Sequence, residues 1–109
     1  MSLIIYEPYT PALEILGHAG FGEPGKDIVC AALSILMYTL MDAEPETEIV
    51  CGSGWARLTG RKQASGSFDL IARGYRLLAQ NYPEFVIFQE IKNVRRIEKQ
   101  EPARAGRGE

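Results

Sequence analysis

The apolar positions of this chain switch between a period of two and a period near 3.6, and the switches mark out its elements. Residues 2–6 (SLIIY) are apolar and largely β-branched and read as a first strand, and Pro8 and Pro11 bracket a turn after it. From Ala12 to His18 the residues alternate, with Leu13 and Ile15 on one side and Glu14, Leu16 and His18 on the other. That predicts a second strand, hairpinned to the first, with His18 at its end. A glycine-rich stretch follows, containing Gly20, Gly22 and Gly25 just after Gly17. From Ile28 to Met41 every residue is apolar, small or uncharged, which predicts a helix with Asp27 as its N-cap. A helix that is apolar all round must be covered all round, so a second helix or a partner subunit has to lie on it.

Further on, Thr47–Cys51 and Trp55–Thr59 read as strands joined by the turn Gly52-Ser53-Gly54. Arg61–Gly66 reads as polar loop. Phe68, Ile71, Ala72, Tyr75, Leu78, Ala79 and Tyr82 then form a helical stripe over Ser67–Tyr82, capped by Ser65 or Ser67 and ended by Pro83. Phe85–Ile91 is the last strand. The order ββαββαβ, with mostly hairpin connections, predicts an α+β fold of two layers: a small, mostly antiparallel sheet packed with two helices. No internal repeat is present. A single domain over residues 1–97 and a charged tail over 98–109 are expected, because the tail has nothing to bury.

Charge sharpens that division. The 109 residues carry a net charge of −2, but residues 1–91 hold 6 Lys/Arg against 11 Asp/Glu, and residues 92–109 hold 6 against 3. An acidic body has no electrostatic case for nucleic acid or an anionic membrane, and contact between the basic tail and RNA is not expected. The longest uncharged run, Ile28–Met41, is too short to span a bilayer, and the N-terminus lacks the pattern of a signal peptide. Two cysteines do not make a disulfide framework, so a cytoplasmic protein with reduced thiols is expected.

The chemistry concentrates between Gly17 and Leu36, where the only histidine, His18, precedes Cys30 by twelve positions. With Asp27 as cap, Cys30 is the third helical residue. There the unpaired N–H groups and aligned peptide dipoles favour an anion such as a thiolate. The same N–H groups suit the oxyanion formed when a thiolate attacks a carbonyl. Histidine is the usual proton-transfer partner for such a thiol. Ser34 lies one turn beyond Cys30 on the same helical face. The plainer reading is a small buried cysteine and an unrelated histidine. No phosphate-loop pattern is present, and one histidine with two distant cysteines falls short of a four-ligand metal site. Cys51 reads as a packing residue. Trp55 reads as core or subunit surface, with lining of a peptide groove as a lesser option.

The residues Gly17-His18-Ala19, Gly25, Asp27-Ile28-Val29-Cys30-Ala31-Ala32 and Ser34 resemble the signature of the ribosomal-processing cysteine protease family (Prp). The resemblance implies a cytoplasmic cysteine endopeptidase without cofactor or metal. Its target would be the short hydrophobic N-terminal extension of large-ribosomal-subunit protein twenty-seven. It implies Cys30 as nucleophile, His18 as general base, and Asp27 and Ser34 in support. It also implies that the loop of Gly20, Gly22 and Gly25, entered from Gly17, admits the peptide and closes on it. Homodimers are expected in the family, which would cover the apolar helix. Two other readings stay open: a prophage-type relative cutting a capsid or scaffold protein, and a non-catalytic peptide-binding module.

Overall fold

Alternation places each strand. The computed structural model describes residues 1–17 and 26–92. Strand β1, Ser2–Glu7, buries Ser2, Ile4 and Tyr6 and leaves Leu3, Ile5 and Glu7 half-buried. Strand β2, Ala12–Leu16, runs antiparallel to it, pairing Ile4 with Ile15 and Tyr6 with Leu13, so the apolar sets share one face. Strand β3, Glu48–Gly52, and strand β4, Trp55–Thr59, form the second hairpin, and β4 pairs with β2. Strand β5, Val86–Glu90, lies parallel to β1 on its other side. The sheet order is β3-β4-β2-β1-β5, with three antiparallel pairings and one parallel.

Two helices cover one face. Helix α1 spans Lys26–Ala43 and helix α2 spans Ser65–Asn81, following a short 3-10 turn at Lys62–Ala64. Ile4, Tyr6, Leu13, Leu58 and Val86 of the sheet join Val29, Leu33 and Leu40 of α1 and Phe68, Ile71 and Tyr75 of α2 in one core. The element order is the ββαββαβ that the patterning predicts. A parallel β5 follows from its connection: α2 carries the chain back over the sheet before the last strand, as a parallel pairing requires.

Several local expectations need correction. Helix α1 begins at Lys26, so Asp27 stands inside its first turn, not at the cap, and Cys30 is the fifth helical residue. The four N–H groups left over at the helix start therefore belong to residues before Cys30. Helix α2 has Ala64 as its N-cap, without a side-chain cap bond. Ser67 instead donates its hydroxyl to the Glu44 carboxylate, tying α2 to the end of α1 at 2.5 Å. Cys51 is exposed, not packed, because β3 is an edge strand with all five residues exposed. Helix α1 is covered by α2 only in part: Ile28, Ile35 and Tyr38 are 65%, 59% and 57% exposed. The tail over 98–109 lies outside the described residues.

Candidate active site

The start of α1 lies beside the β2 end and the β3–β4 hairpin, and a groove of about 390 Å³ opens between them. Cys30, Leu33, Ser34 and Met37 line it from the helix. Their spacing of three, four and seven residues is one helical face, so the helix presents them together. Strand β2 contributes Ile15 and, just past its end, Gly17; the hairpin contributes Gly52, Gly54, Trp55 and Ala56. The groove is apolar over most of its wall, and the Cys30 thiol stands half-buried in it.

Backbone constraints hold this wall. Gly17 has φ +84°, and its N–H donates to the Gly54 carbonyl at 2.7 Å, joining the two glycines across the groove edge. A Cβ on Gly17 would lie 2.6 Å from the Met1 carbonyl oxygen, so glycine is required there for both conformation and space. Tyr75 of α2 donates its hydroxyl to the Leu33 carbonyl at 3.0 Å, fixing α1 one turn beyond Cys30. Burial pushes the Tyr75 phenol above its ordinary range, which keeps it a neutral donor.

On the outer face of the sheet, Arg57 donates to Glu7 at 3.0 Å and lies 3.6 Å from Glu14. Its guanidinium is held charged chiefly by the Glu7 hydrogen bond. A second hollow of about 290 Å³, among Glu44, Glu46, Thr47, Arg61 and Gln63, is lined by charged and polar side chains and holds neither cysteine. Among the described residues no group of three or more His, Cys, Asp and Glu is placed to hold a metal ion. Nor is any described helix long and apolar enough to cross a membrane.

The structure thus brings Gly17, Cys30 and Ser34 into one groove and sets Asp27 in the turn before it. His18, Gly20, Gly22 and Gly25 lie outside the described residues. Trp55 is 39% exposed in the groove wall, so it is not a core residue. Met37, Ile15, Gly52 and Ser2 are further lining residues that patterning did not single out. Only Met37 carried a readable signal, seven residues after Cys30 on the same helix.

No curated protein matches the chain. The crystal structure of SMU.848 from Streptococcus mutans superposes with a TM-score of 0.69 at 27% identity, over 83% of this chain and 95% of that one. The essential ribosomal processing protease Prp from S. aureus, in complex with a covalently linked product peptide, superposes at 0.71 with 18% identity, over 84% of this chain and all (100%) of that one. The same protease with a substrate peptide gives 0.70 at 17% identity, with the same coverage, 84% and 100%. At that identity the S. aureus structures speak for the fold. The family model of the cysteine protease Prp matches residues 9–87, most of the folded body, and the chain belongs to that family of cysteine proteases.

Proposed function

We propose that Cys30 is the nucleophile and His18 the general base of an endopeptidase that removes the N-terminal extension of large-ribosomal-subunit protein twenty-seven. One observation carries the site assignment: Cys30 shares its groove with Gly17, the residue that precedes His18. In this reading His18 takes the thiol proton and the Cys30 sulfur attacks the scissile carbonyl carbon. The tetrahedral oxyanion collapses with release of the amine, which His18 protonates, leaving a thioester. Water, deprotonated by His18, then hydrolyses the thioester and restores the thiol. Ser34 faces the thiol from the next turn or meets the substrate, and Asp27 orients the start of the helix. The loop of Gly20, Gly22 and Gly25 admits the peptide.

The substrate class is supported by the groove's character. Ile15, Met37 and Trp55 suit a hydrophobic segment ending in aromatic residues, and the S. aureus relative is a ribosomal processing protease seen with peptide. A cytoplasmic site of action follows from such a target. A homodimer is supported by Ile28, Ile35 and Tyr38, an exposed apolar stripe at helical spacing on α1. Sedimentation of the protein at micromolar concentration tests that state, a monomer mass counting against it.

The enzymatic reading is tested by mass spectrometry of the host's ribosomal-protein N-terminal peptide after incubation with wild type, Cys30→Ala and His18→Ala. A single cut made by wild type alone is expected. A cut that persists in Cys30→Ala would overturn the assignment of the nucleophile, and no cut by wild type would overturn the substrate.

A further inference from the structure

Among the described residues, one buried side-chain polar atom has no hydrogen-bond partner, the Oγ of Ser2. Ser2 opens β1 on the sheet's helix-facing side and is fully buried, and its backbone N–H donates to the Phe85 carbonyl at 2.8 Å. It also lines the groove that holds Cys30, next to Gly17. A hydroxyl withdrawn from water and left unpaired is costly, and such groups are few in folded proteins. The neighbouring positions on this face of β1 are Ile4 and Tyr6, filled for packing. An alanine at position 2 would pack as well, so the Ser2 hydroxyl serves no contact within the described fold.

The groove supplies a use for it. An extended peptide brings a backbone N–H and C=O at every residue, and each needs a partner when it leaves water. The side chains of Ile15 and Met37 offer none, and the Gly17 N–H is already spent on Gly54. The wall's polar side chains, the Ser34 hydroxyl, the Trp55 indole N–H and the unpaired Ser2 hydroxyl, must therefore supply the partners. Resting on the peptidase reading above, we infer that Ser2 Oγ is a binding contact for the peptide backbone. It hydrogen-bonds to a main-chain group of the segment seated beside Cys30. In the free protein the hydroxyl is closed to water, and the seated peptide meets it at the groove wall beside Gly17. A main-chain contact sets the depth and register of the peptide without selecting its side chains.

The test is covalent labelling of Cys30 by two reagents, in wild type and Ser2→Ala. One reagent is acetyl-Phe-Phe chloromethyl ketone, which must seat a peptide before it alkylates; the other is iodoacetamide, which need not. The expected result is a rise of about three- to tenfold in the half-saturating concentration of the peptide reagent, the loss of one hydrogen bond. The iodoacetamide rate and the thermal midpoint stay as in wild type. Equal behaviour of the two proteins toward the peptide reagent overturns the inference. So does a parallel loss with both reagents and a lowered midpoint, which marks Ser2 as a packing residue only. Failure of wild type to show saturable labelling at Cys30 overturns the peptidase reading and this inference together, whereas saturable labelling insensitive to Ser2 overturns this inference alone.

Discussion

Gly52 lies under the indole of Trp55: a Cβ on Gly52 would come within 2.5 Å of Trp55 Nε1. The two residues face each other as the closing pair of the β3–β4 hairpin, and both line the groove of Cys30. The glycine lets the ring fold down onto the strand and become a wall.

Replacing Gly52 by alanine therefore moves Trp55 rather than the backbone, because the ring is partly exposed and free to swing. The stability change is expected to stay within about 1 kcal/mol, as for exposed positions generally. The fluorescence of Trp55, the only tryptophan, should shift, and peptide cleavage should fall several-fold. Unchanged emission in Gly52→Ala would show that the contact does not set the ring.

Gly17→Ala is expected to be costly at once in fold and activity. An alanine must adopt φ near +84° and also displace the Met1 carbonyl, which its Cβ would approach to 2.6 Å. A strained backbone of this kind costs roughly 1–3 kcal/mol. Denaturant unfolding measures the loss, and the cleavage rate should drop with it, since Gly17 and Gly54 are joined at the groove edge. An unfolding midpoint equal to wild type would count against this account.

Tyr75→Phe removes the donor to the Leu33 carbonyl while leaving the ring's packing intact. The loss should be about 1 kcal/mol, the typical worth of one buried hydrogen bond. Because Leu33 lies between Cys30 and Met37 on the groove face of α1, a modest fall in cleavage should accompany it. Calorimetry and steady-state rates on the same preparation check both, and a variant as stable as wild type would dismiss the bond's role.

Alkaline pH should unfold the protein in part through Tyr6. Its phenol is pushed up to about 12 from an ordinary 10.0, first by burial and then by the Asp69 and Glu90 carboxylates. The folded state then keeps a proton that the unfolded state gives up. The stability contributed is complete below pH 10 and is lost as pH rises through about 12. Tyr75, raised by burial, acts in the same direction. Urea midpoints measured from pH 9 to 12 should fall less steeply in Tyr6→Phe than in wild type; identical slopes would rule Tyr6 out as a cause.

Most of the architecture is legible in the sequence. Alternation over Ala12–Leu16 and Trp55–Thr59, the uncharged run of α1 and the 3.6-residue stripe of α2 each specify an element through which side chains must be buried. The signature around Cys30 pointed to the family that the matched residues 9–87 bear out. Element ends were less legible, since one or two residues at a helix start are decided by local bonds. Asp27 looks like a cap in sequence, yet α1 starts at Lys26; Ser67 looks like a cap, yet its hydroxyl bonds Glu44, 23 positions earlier in the chain.

Local sequence therefore determined the elements and their order and singled out Cys30 as the candidate nucleophile, because periodicity and short motifs act over a few residues. It did not determine which strand stands at the edge, so it misplaced Cys51 and left the surroundings of Trp55 undecided. Their exposure depends on the order β3-β4-β2-β1-β5, a set of long-range pairings that no local pattern records. The same pairings set Ser2 and Gly17, fifteen positions apart, beside Cys30 and across from Gly52 and Trp55. The groove exists only where β2, the β3–β4 hairpin and α1 meet, because burial is a property of neighbours in space and not of neighbours in the chain.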